Sequence, residues 1–319
     1  MSSSRTTLEF VIPIYNEEEC LPTLLSRLRA FREKLKSSAD VSFLFINDGS
    51  KDRTLELLVN ASHQESYLKV LDLSRNFGHQ IALTAGVDAA TADVIAIIDG
   101  DLQDPPELVE PMLELAEKGY DIVYGKRRER KGESWFKLIT ASLFYKLIRA
   151  MCRVDIPENT GDFRIMKKRA YFALREMRES HRFIRGMVPW TGFKSTYFLY
   201  DRDSRFAGET KYPLKKMVRF ALDAIFSFSN TPLRIASYSG LIFLIIAMLV
   251  GFYILFLKLF TNEVVPGLTV LIMMMIGMSG FQVLMLGVLG EYVGRIFEST
   301  KNRPLYFLNA QLNFPSDAE

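Results

Sequence analysis

The chain has 319 residues, enough for one large domain or for one domain with an appendage. Its formal net charge of +3 is too small to favour nucleic-acid binding. Hydrophobic residues make up 49% of the chain, a high share for a soluble protein, and the excess lies near the C-terminus.

The first part of the chain alternates predicted strands and helices, a pattern typical of a mostly parallel sheet covered by helices. Apolar runs predict the strands and amphipathic segments predict the helices. In chain order these are strand 8–14, helix 17–36, strand 41–46, helix 52–63, strand 67–73, helix 78–90, strand 94–98, helix 106–118 and strand 121–124. The chain contains no Gly-rich dinucleotide motif after the first strand and no P-loop motif.

Polar side chains follow three of these strands, at the edge where open α/β sheets bind ligands. They are residues 15–17 after the first strand, Asp48 after the second and residues 99–104 after the fourth. Closely spaced carboxylates repel one another unless a cation lies among them, and their oxygens suit Mg²⁺ or Mn²⁺ carrying a substrate phosphate. The alternatives are a plain turn at Asp48 and a solvated acidic turn before the helix at 106–118.

Two uncharged segments near the C-terminus, 235–257 and 264–290, are each long enough to cross a membrane as a helix, which takes about 20 residues. The alternative is a pair of buried core helices. A short connection predicts a hairpin with both flanks on one side, and basic residues on those flanks favour cytoplasmic termini of a multi-pass plasma (inner) membrane protein. The expected organisation is a cytoplasmic domain at 1–231, two membrane helices within 232–294 at about 233–258 and 264–291, and a cytoplasmic tail at 295–319.

Two amphipathic segments, at about 135–151 and 213–229, place apolar residues on one side and basic residues on others. Such helices can lie in the membrane interface with their basic residues at the headgroups. The alternative is packing against the sheet. That alternative is equally open for the first segment and less favoured for the second, because the second leads into a membrane span.

Five motifs together resemble inverting family 2 glycosyltransferases with a GT-A fold, and among these the polyisoprenyl-phosphate glycosyltransferases. The motifs are VIPIYNE at 11–17, NDGSKD at 47–52, DGDLQD at 99–104, NTGDFR at 159–164 and RFAGETKY at 205–212. Bacterial bactoprenol glucosyltransferases have this layout with two C-terminal spans, and dolichol-phosphate mannose synthases share the catalytic part. The resemblance covers about residues 8–307, with Gly100 standing where relatives often carry alanine.

The resemblance implies an α/β fold, in which a GT-A-type nucleotide-binding domain with a mostly parallel central sheet is joined to interfacial helices and a two-helix transmembrane hairpin. It implies transfer of a hexose, from UDP-glucose in preference to GDP-mannose or other UDP-sugars, to polyprenyl (undecaprenyl) phosphate at the cytoplasmic face. The expected partners are the nucleotide sugar, the lipid phosphate and the bilayer. No nucleic acid is expected, and a homo-oligomer stays open.

The resemblance also implies roles for individual residues. The donor would contact Pro13, Tyr15, Glu17, Asp48 and Asp99. Asp101 and Gln103 match the metal ligands for Mg²⁺ or Mn²⁺, whereas Asp104 is expected to cap the next helix. The catalytic residues would be Asp101, Asp162 and Arg127.

The acceptor phosphate would be bound by basic and hydroxyl side chains, namely Arg127, Arg130, Ser134, Arg205 and Lys211. Arginine suits this role because its guanidinium fork matches phosphate oxygens. The alternative for the basic run at 126–131 is a solvated loop or contact with anionic lipid headgroups.

Three other functions fit parts of the sequence less well. A processive polysaccharide synthase would need more spans, and by resemblance a Gln-x-x-Arg-Trp motif that this chain lacks. A membrane-anchored scaffold with an inactive transferase domain is disfavoured because Asp99, Asp101 and Gln103 are all present. A transporter is disfavoured because both apolar segments lack charged residues.

Overall fold

The described residues form a domain with an eight-stranded sheet and helices on both of its faces. The computed structural model describes residues 5–128, 157, 160–201, 226, 229–260 and 267–314. The predicted interfacial helices at 135–151 and 213–229 fall outside these residues, apart from Phe226 and Ser229, and stay predictions.

The first half of the chain alternates strands and helices, as the sequence predicts. The elements are β1 (Thr6–Ile14), α1 (Leu21–Leu35), β2 (Ala39–Asn47), α2 (Thr54–Gln64), β3 (Leu68–Leu73), α3 (His79–Ala89), β4 (Val94–Ile97), a 3₁₀ turn (Pro106–Leu108), α4 (Val109–Glu117) and β5 (Ile122–Arg127). The later elements are β6 (Thr160–Lys167), α5 (Lys168–Glu176), α6 (Ile184–Trp190), β7 (Ser195–Tyr200), α7 (Thr231–Phe260), α8 (Gly267–Thr300) and β8 (Leu308–Leu312).

The strand order is β7-β5-β6-β4-β1-β2-β3-β8. Parallel pairing joins β1 to β2 and β4, β2 to β3, and β5 to β7. Antiparallel pairing places β6 between β4 and β5, and β8 beside β3. The mostly parallel sheet predicted for the first half of the chain is therefore confirmed, and the later strands β6 and β8 make the full sheet mixed.

Apolar side chains bury both faces of the central strands. In α1, Leu21, Leu24, Leu28 and Phe31 recur at helical spacing and pack with α2 and α4 on one face of the sheet. The helices α3, α5 and α6 cover the other face. Because β1 is buried along most of its length, its residues 10–14 form a continuous apolar run rather than an alternating one, and the buried Glu9 before them pairs with Lys69 at 2.8 Å.

The strand β6 enters the middle of the sheet, where Ile97 of β4 pairs with Arg164 and Tyr124 of β5 pairs with the same residue. No strand is predicted here from local pattern, because residues 160–164 mix small, charged and aromatic side chains and do not form an apolar run. The consequence is that Asp162 lies beside the end of β4, at the edge where polar residues collect.

The residues after the second apolar helix return to the sheet instead of forming only a tail. Val70 of β3 pairs with Leu312 of β8. The Asn309 side chain donates to Asp72 Oδ2 at 2.7 Å, and Asn313 Nδ2 donates to backbone carbonyls that include that of Ser62. The chain on the C-terminal side of α8 is therefore part of the same domain as β1–β7.

The helices α7 and α8 are long and apolar enough to cross a membrane, over Thr231–Leu257 and Met274–Thr300, and none of the described residues in their most apolar windows is buried. They are thus not core helices of the α/β domain. Their rings Phe243 and Phe281 stack with centroids 4.4 Å apart, which brings the two helices together as the predicted hairpin. The helix α8 continues past the predicted end of the second span at 291 to Thr300. The two helices indicate association with a membrane.

Candidate active site

The candidate site lies at the carboxyl ends of β1, β2 and β4, which meet at one edge because these strands are parallel. The loops that follow β1 and β2 are joined by hydrogen bonds. The Asn16 amide donates to Ser50 Oγ at 3.0 Å, and the Lys51 amide donates to Asn16 Oδ1 at 2.8 Å. Three predicted donor-binding residues lie on or beside the first loop, namely Pro13, Tyr15 and Glu17. Of these, Tyr15 is 40% exposed, so its ring is accessible for stacking.

Asp48 is buried and connects β2 to the start of α3. Its two carboxylate oxygens accept hydrogen bonds from the backbone amides of Phe77 at 2.7 Å and Gly78 at 2.9 Å. Burial raises the pKa of Asp48, and these two hydrogen bonds only partly offset that effect. The Asp48 carboxylate therefore has a structural role, because it accepts two backbone hydrogen bonds. Its contact with the nucleotide sugar stays a prediction.

The segment from Asp99 to Asp104 forms a tight turn after β4. Leu102 adopts a positive φ of 60° and is buried, and the Gln103 amide donates to Asp101 Oδ1 at 3.2 Å. The turn therefore places Asp101 and Gln103, the predicted metal ligands, next to each other at the sheet edge. Their carboxylate and amide oxygens are the donor set that Mg²⁺ and Mn²⁺ prefer.

Asp104 does not cap the following helix, which corrects the expectation from sequence. Its Oδ1 accepts a hydrogen bond from Tyr200 Oη at 2.5 Å, and the 3₁₀ turn that follows has no side-chain cap. Tyr200 belongs to β7, far along the chain. The side chain is thus held inward by the sheet rather than directed at the helix start.

Asp99 has one buried oxygen, Oδ1, for which the described residues provide no hydrogen-bond partner. Burial raises the pKa of this carboxyl to about 6; His79 opposes the rise, and the charges of Asp162, Asp104 and Asp101 add to it. An unpaired buried oxygen among several carboxylates is a place where a bound cation or a ligand hydroxyl group supplies the missing contact. The residues present thus fit a divalent cation at this edge.

Asp162 is the most heavily hydrogen-bonded carboxylate of the site, and its side chain is only 2% exposed. Oδ1 accepts from Arg164 Nη2 at 3.1 Å and from Arg185 Nε at 3.1 Å. Oδ2 accepts from Arg185 Nη2 at 2.8 Å and lies 3.2 Å from His79 Nε2. Burial alone would raise the pKa of Asp162, but Arg185, His79 and Arg164 hold it well below its usual range.

His79 lies between two carboxylates at the start of α3. Its Nε2 is 3.2 Å from Asp162 Oδ2 and 3.7 Å from Asp99 Oδ1. Burial disfavours the imidazolium, but the hydrogen bond to Asp162 and the charge of Asp99 outweigh this and raise the pKa of His79. One ligand-type atom from each of the three side chains lies within 4.8 Å of the others.

Arg127, at the end of β5, lies close to this group. Its Nε donates to Tyr200 Oη at 3.5 Å, a long contact. A Cβ atom on Gly161 would lie 2.9 Å from Arg127 Nη2, so the guanidinium packs directly on the residue before Asp162. The structure therefore brings Arg127 and Asp162 together, two of the three predicted catalytic residues.

Four predicted acceptor-binding residues lie outside the described residues, namely Arg130, Ser134, Arg205 and Lys211. Three residues of this group, His79, Arg185 and Tyr200, are not among the predicted site residues. His79 is one of three histidines that are far apart in sequence, and its contact with Asp162 spans 83 positions. The only available signal was its position at the start of a predicted helix at the same sheet edge.

Comparisons with known proteins identify the family of this chain. The model of the family described as Glycosyl transferase family 2 matches residues 9–174. The chain belongs to glycosyl transferase family 2. The match spans β1 to β6, so it includes both the turn after β4 and Asp162. The protein is a glycosyltransferase, and the predicted GT-A-type α/β fold is confirmed.

Individual relatives extend the similarity over nearly the whole chain. The uncharacterized glycosyltransferase YkcC of Bacillus subtilis (strain 168) is 47% identical over 298 residues, 93% of this chain and 92% of that protein. The prophage bactoprenol glucosyl transferase homolog of Escherichia coli (strain K12) is 40% identical over 302 residues, 94% of this chain and 98% of that protein. A crystal structure of glucosyl-3-phosphoglycerate synthase from Mycobacterium tuberculosis with Mn²⁺, UDP and phosphoglyceric acid is 16% identical, with a TM-score of 0.48, and the match covers 69% of this chain and 76% of that one.

Two glycines of this family 2 enzyme provide a matched test of the site. Gly49 has a φ of +63°, and a Cβ there would lie 2.4 Å from the backbone carbon of Arg75, whereas a Cβ on Gly100 would come no closer than 3.3 Å, to an Ile14 side-chain carbon. Gly49→Ala should therefore destabilise the protein by about 1–3 kcal/mol. Gly100→Ala should destabilise it much less, because only the Ile14 side chain has to shift slightly. Apparent melting temperatures in detergent measure both effects, and equal melting temperatures of the two variants would contradict this account of the loop.

Proposed function

We propose that this glycosyltransferase moves a hexose, glucose from UDP-glucose, to polyprenyl (undecaprenyl) phosphate with inversion at the anomeric carbon. The observation that supports this most is that the polar turn after β4 lies beside a cationic group, His79, Arg164 and Arg185, in a chain with two candidate membrane helices. A soluble nucleotide sugar would bind at the polar turn, and a lipid phosphate would need both cationic side chains and a nearby membrane. The acceptor class is further supported by the printed name of the relative from E. coli.

The donor would bind along the loops after β1 and β2. Tyr15 offers an exposed ring for the base, and Glu17 and Asp48 offer carboxylate oxygens for ribose hydroxyls. Asp101 and Gln103 would hold Mg²⁺ or Mn²⁺ against the diphosphate. When bound there, the divalent cation would supply positive charge that stabilises the departing diphosphate.

The acceptor requires orientation more than it requires a base. A phosphate monoester has a second pKa of about 6, so it is largely ionised near neutral pH. Its oxygen can attack the anomeric carbon without losing a proton to the protein. Arg127, which packs on the residue before Asp162, would then hold this phosphate in line with the sugar. Arg130, Ser134, Arg205 and Lys211 stay proposed contacts for the same group.

The membrane arrangement is proposed from the chain path. β8 follows α8 and pairs with β3, so both ends of the α7–α8 hairpin lead to the same domain. Arg234 lies in the first turn of α7, and Arg295, Lys301 and Arg303 lie at the end of α8 or just after it, a distribution that favours the cytoplasmic side. We therefore propose a multi-pass plasma-membrane protein whose catalytic domain and termini are cytoplasmic.

A transfer assay tests the reaction and separates it from the alternatives. Purified protein, undecaprenyl phosphate and a panel of UDP- and GDP-sugars should give a lipid of one added hexose by mass spectrometry. Polymer in place of this lipid would instead support a polysaccharide synthase, and no product with any donor would support an inactive scaffold.

Asp101→Ala should lower transfer by about 10²-fold or more, because it removes a metal ligand from the charge-stabilising site. Excess chelator should have the same effect on the wild type. The matched control is Asp40→Ala, an exposed aspartate in β2 near the opposite end of that strand from the site. Mass spectrometry of the lipid product gives the rates. Full activity of Asp101→Ala in excess chelator would exclude the metal assignment.

Arg127→Ala should raise the KM for undecaprenyl phosphate by about tenfold, as expected for loss of a charge-assisted hydrogen bond, and should change the KM for UDP-glucose less. Arg29→Ala is the control, since Arg29 lies on α1 and pairs with Glu65 away from the site. Initial rates at varied donor and acceptor concentrations separate the two constants. An unchanged acceptor KM would remove Arg127 from the acceptor site.

A further inference from the structure

Asp162 has little capacity left for proton transfer. Its two oxygens already accept from Arg164 Nη2 and from Arg185 Nε and Nη2, and Oδ2 also lies within hydrogen-bond distance of His79 Nε2. The Arg164 side chain is 1% exposed and donates as well to the backbone carbonyls of Gly161 and Asp162. A carboxylate with so many donors is stabilised in its ionised form and is a weak base.

The partners of Asp162 differ in their exposure. Arg164 is buried, whereas the side chain of His79 is 42% exposed and that of Arg185 is 34% exposed. Asp162 thus contacts two side chains that come from separate elements, α3 and α6, and each of these side chains is partly exposed. A buried anion that orients two half-exposed cations creates a cationic surface above itself.

The charges of the group favour an anion over a second metal ion. Asp162 contributes one negative charge, and Arg164 and Arg185 contribute two positive charges around the same carboxylate. His79 adds a third positive charge when it is protonated, and Asp99 on its other side adds a second negative charge when it is ionised, so the group then keeps one net positive charge. A divalent cation bound by His79, Asp99 and Asp162 would have to approach two guanidinium groups, which repel it. A phosphate oxygen would be attracted by those same groups.

We propose that His79 and Arg185 form a phosphate-binding pair, and that Asp162 is a positioning residue that orients this pair instead of a general base. This inference rests on the proposed function. In the reaction, the bond from the acceptor phosphate oxygen to the anomeric carbon forms as the bond from that carbon to the donor diphosphate breaks. The electron pair of the broken bond leaves with the nucleoside diphosphate. The attacking phosphate is ionised beforehand, so no proton passes through Asp162.

Two phosphate sources share this chemistry, the acceptor monophosphate and the donor diphosphate. Direct binding measurements distinguish them and do not depend on turnover. UDP with Mg²⁺ is titrated in one arm and undecaprenyl phosphate in the other, each with full-length protein in detergent. Initial rates with both substrates then provide kcat and the two KM values.

The matched variants come from the same chain. Arg185→Gln is compared with Arg169→Gln, because Arg169 also forms a two-bond pair with a buried aspartate, Asp121, outside the site. His79→Gln is compared with His63→Gln, since His63 is an exposed histidine of α2. Arg185→Lys and His79→Lys retain the positive charge and serve as conservative replacements.

Arg185→Gln and His79→Gln should each weaken binding in one arm by about tenfold, with partial recovery in the lysine variants, while the controls stay within about twofold of the wild type. A change in the lipid arm assigns the acceptor phosphate, and a change in the UDP arm assigns the donor diphosphate. Asp162→Asn should raise the same KM, and adding it to Arg185→Gln should cost little more, because Asp162 acts through Arg185.

Unchanged binding of both probes by Arg185→Gln and His79→Gln would overturn the inference, as would failure of the wild type to bind either probe. The inference would also be overturned if Asp162→Asn lowered kcat, left both KM values unchanged and had an effect additive with that of Arg185→Gln. Absence of any lipid product from a wild type that binds the probes would refute the proposed reaction instead, and the binding arms would still decide the role of the pair.

Discussion

Several aspartates crowd one edge of the sheet, and each buried carboxylate there needs a compensating partner. Asp48 accepts two backbone amides, Asp104 accepts the Tyr200 hydroxyl, and Asp162 accepts hydrogen bonds from Arg164 and Arg185. Asp99 Oδ1 and Asp104 Oδ2 are buried oxygens for which the described residues provide no hydrogen bond. Internal hydrogen-bond donors thus stabilise most of the buried carboxylates. The carboxylate oxygens that still lack a hydrogen bond from the described residues lie near Asp101 and Gln103, where a divalent cation bound with the diphosphate would supply positive charge.

The mixed topology of the sheet brings residues from distant parts of the chain to this edge. The parallel strands β1, β2 and β4 bring three loops together, and the antiparallel strand β6 adds Asp162 from a later part of the chain. At the other side, β8 joins the residues after the second apolar helix to β3. In the chain, β7 of this sheet precedes the two candidate membrane helices and β8 follows them. The sheet that forms the site is therefore joined to both helices, as suits an enzyme that transfers a sugar from a soluble donor to a lipid.

The sequence predicted the parts of the site that depend on local patterns. Apolar runs followed by polar residues revealed β1, β2 and β4, and the rule that ligands bind at the carboxyl ends of parallel strands then grouped Glu17, Asp48 and Asp101. The two long apolar helices were also predictable from the sequence, because segments of this composition are not stable when exposed to water.

The rest depends on contacts between distant residues. No local pattern predicts β6, whose Asp162 binds His79 and Arg185 from other parts of the chain as well as Arg164 of the same strand. The same holds for β8, which pairs with a strand far earlier in the chain. Asp104 was expected to cap a helix because Tyr200, which binds it, lies 96 positions away. The pairing of Asp162 with His79 and Arg185 was hidden for the same reason, since sequence spacing does not record which helix ends meet at a sheet edge.

The assignment of the divalent cation to Asp101 and Gln103 is tested most directly by Mn²⁺ binding to the full-length protein. Electron paramagnetic resonance measures this binding with and without UDP. The account predicts UDP-dependent binding of Mn²⁺ that Asp101→Asn and Gln103→Ala abolish and that Asp162→Asn retains. Binding that survives the changes at Asp101 and Gln103 but is lost in Asp162→Asn would contradict it, because the cation would then occupy the group of His79, Asp99 and Asp162 that the account assigns to an anion.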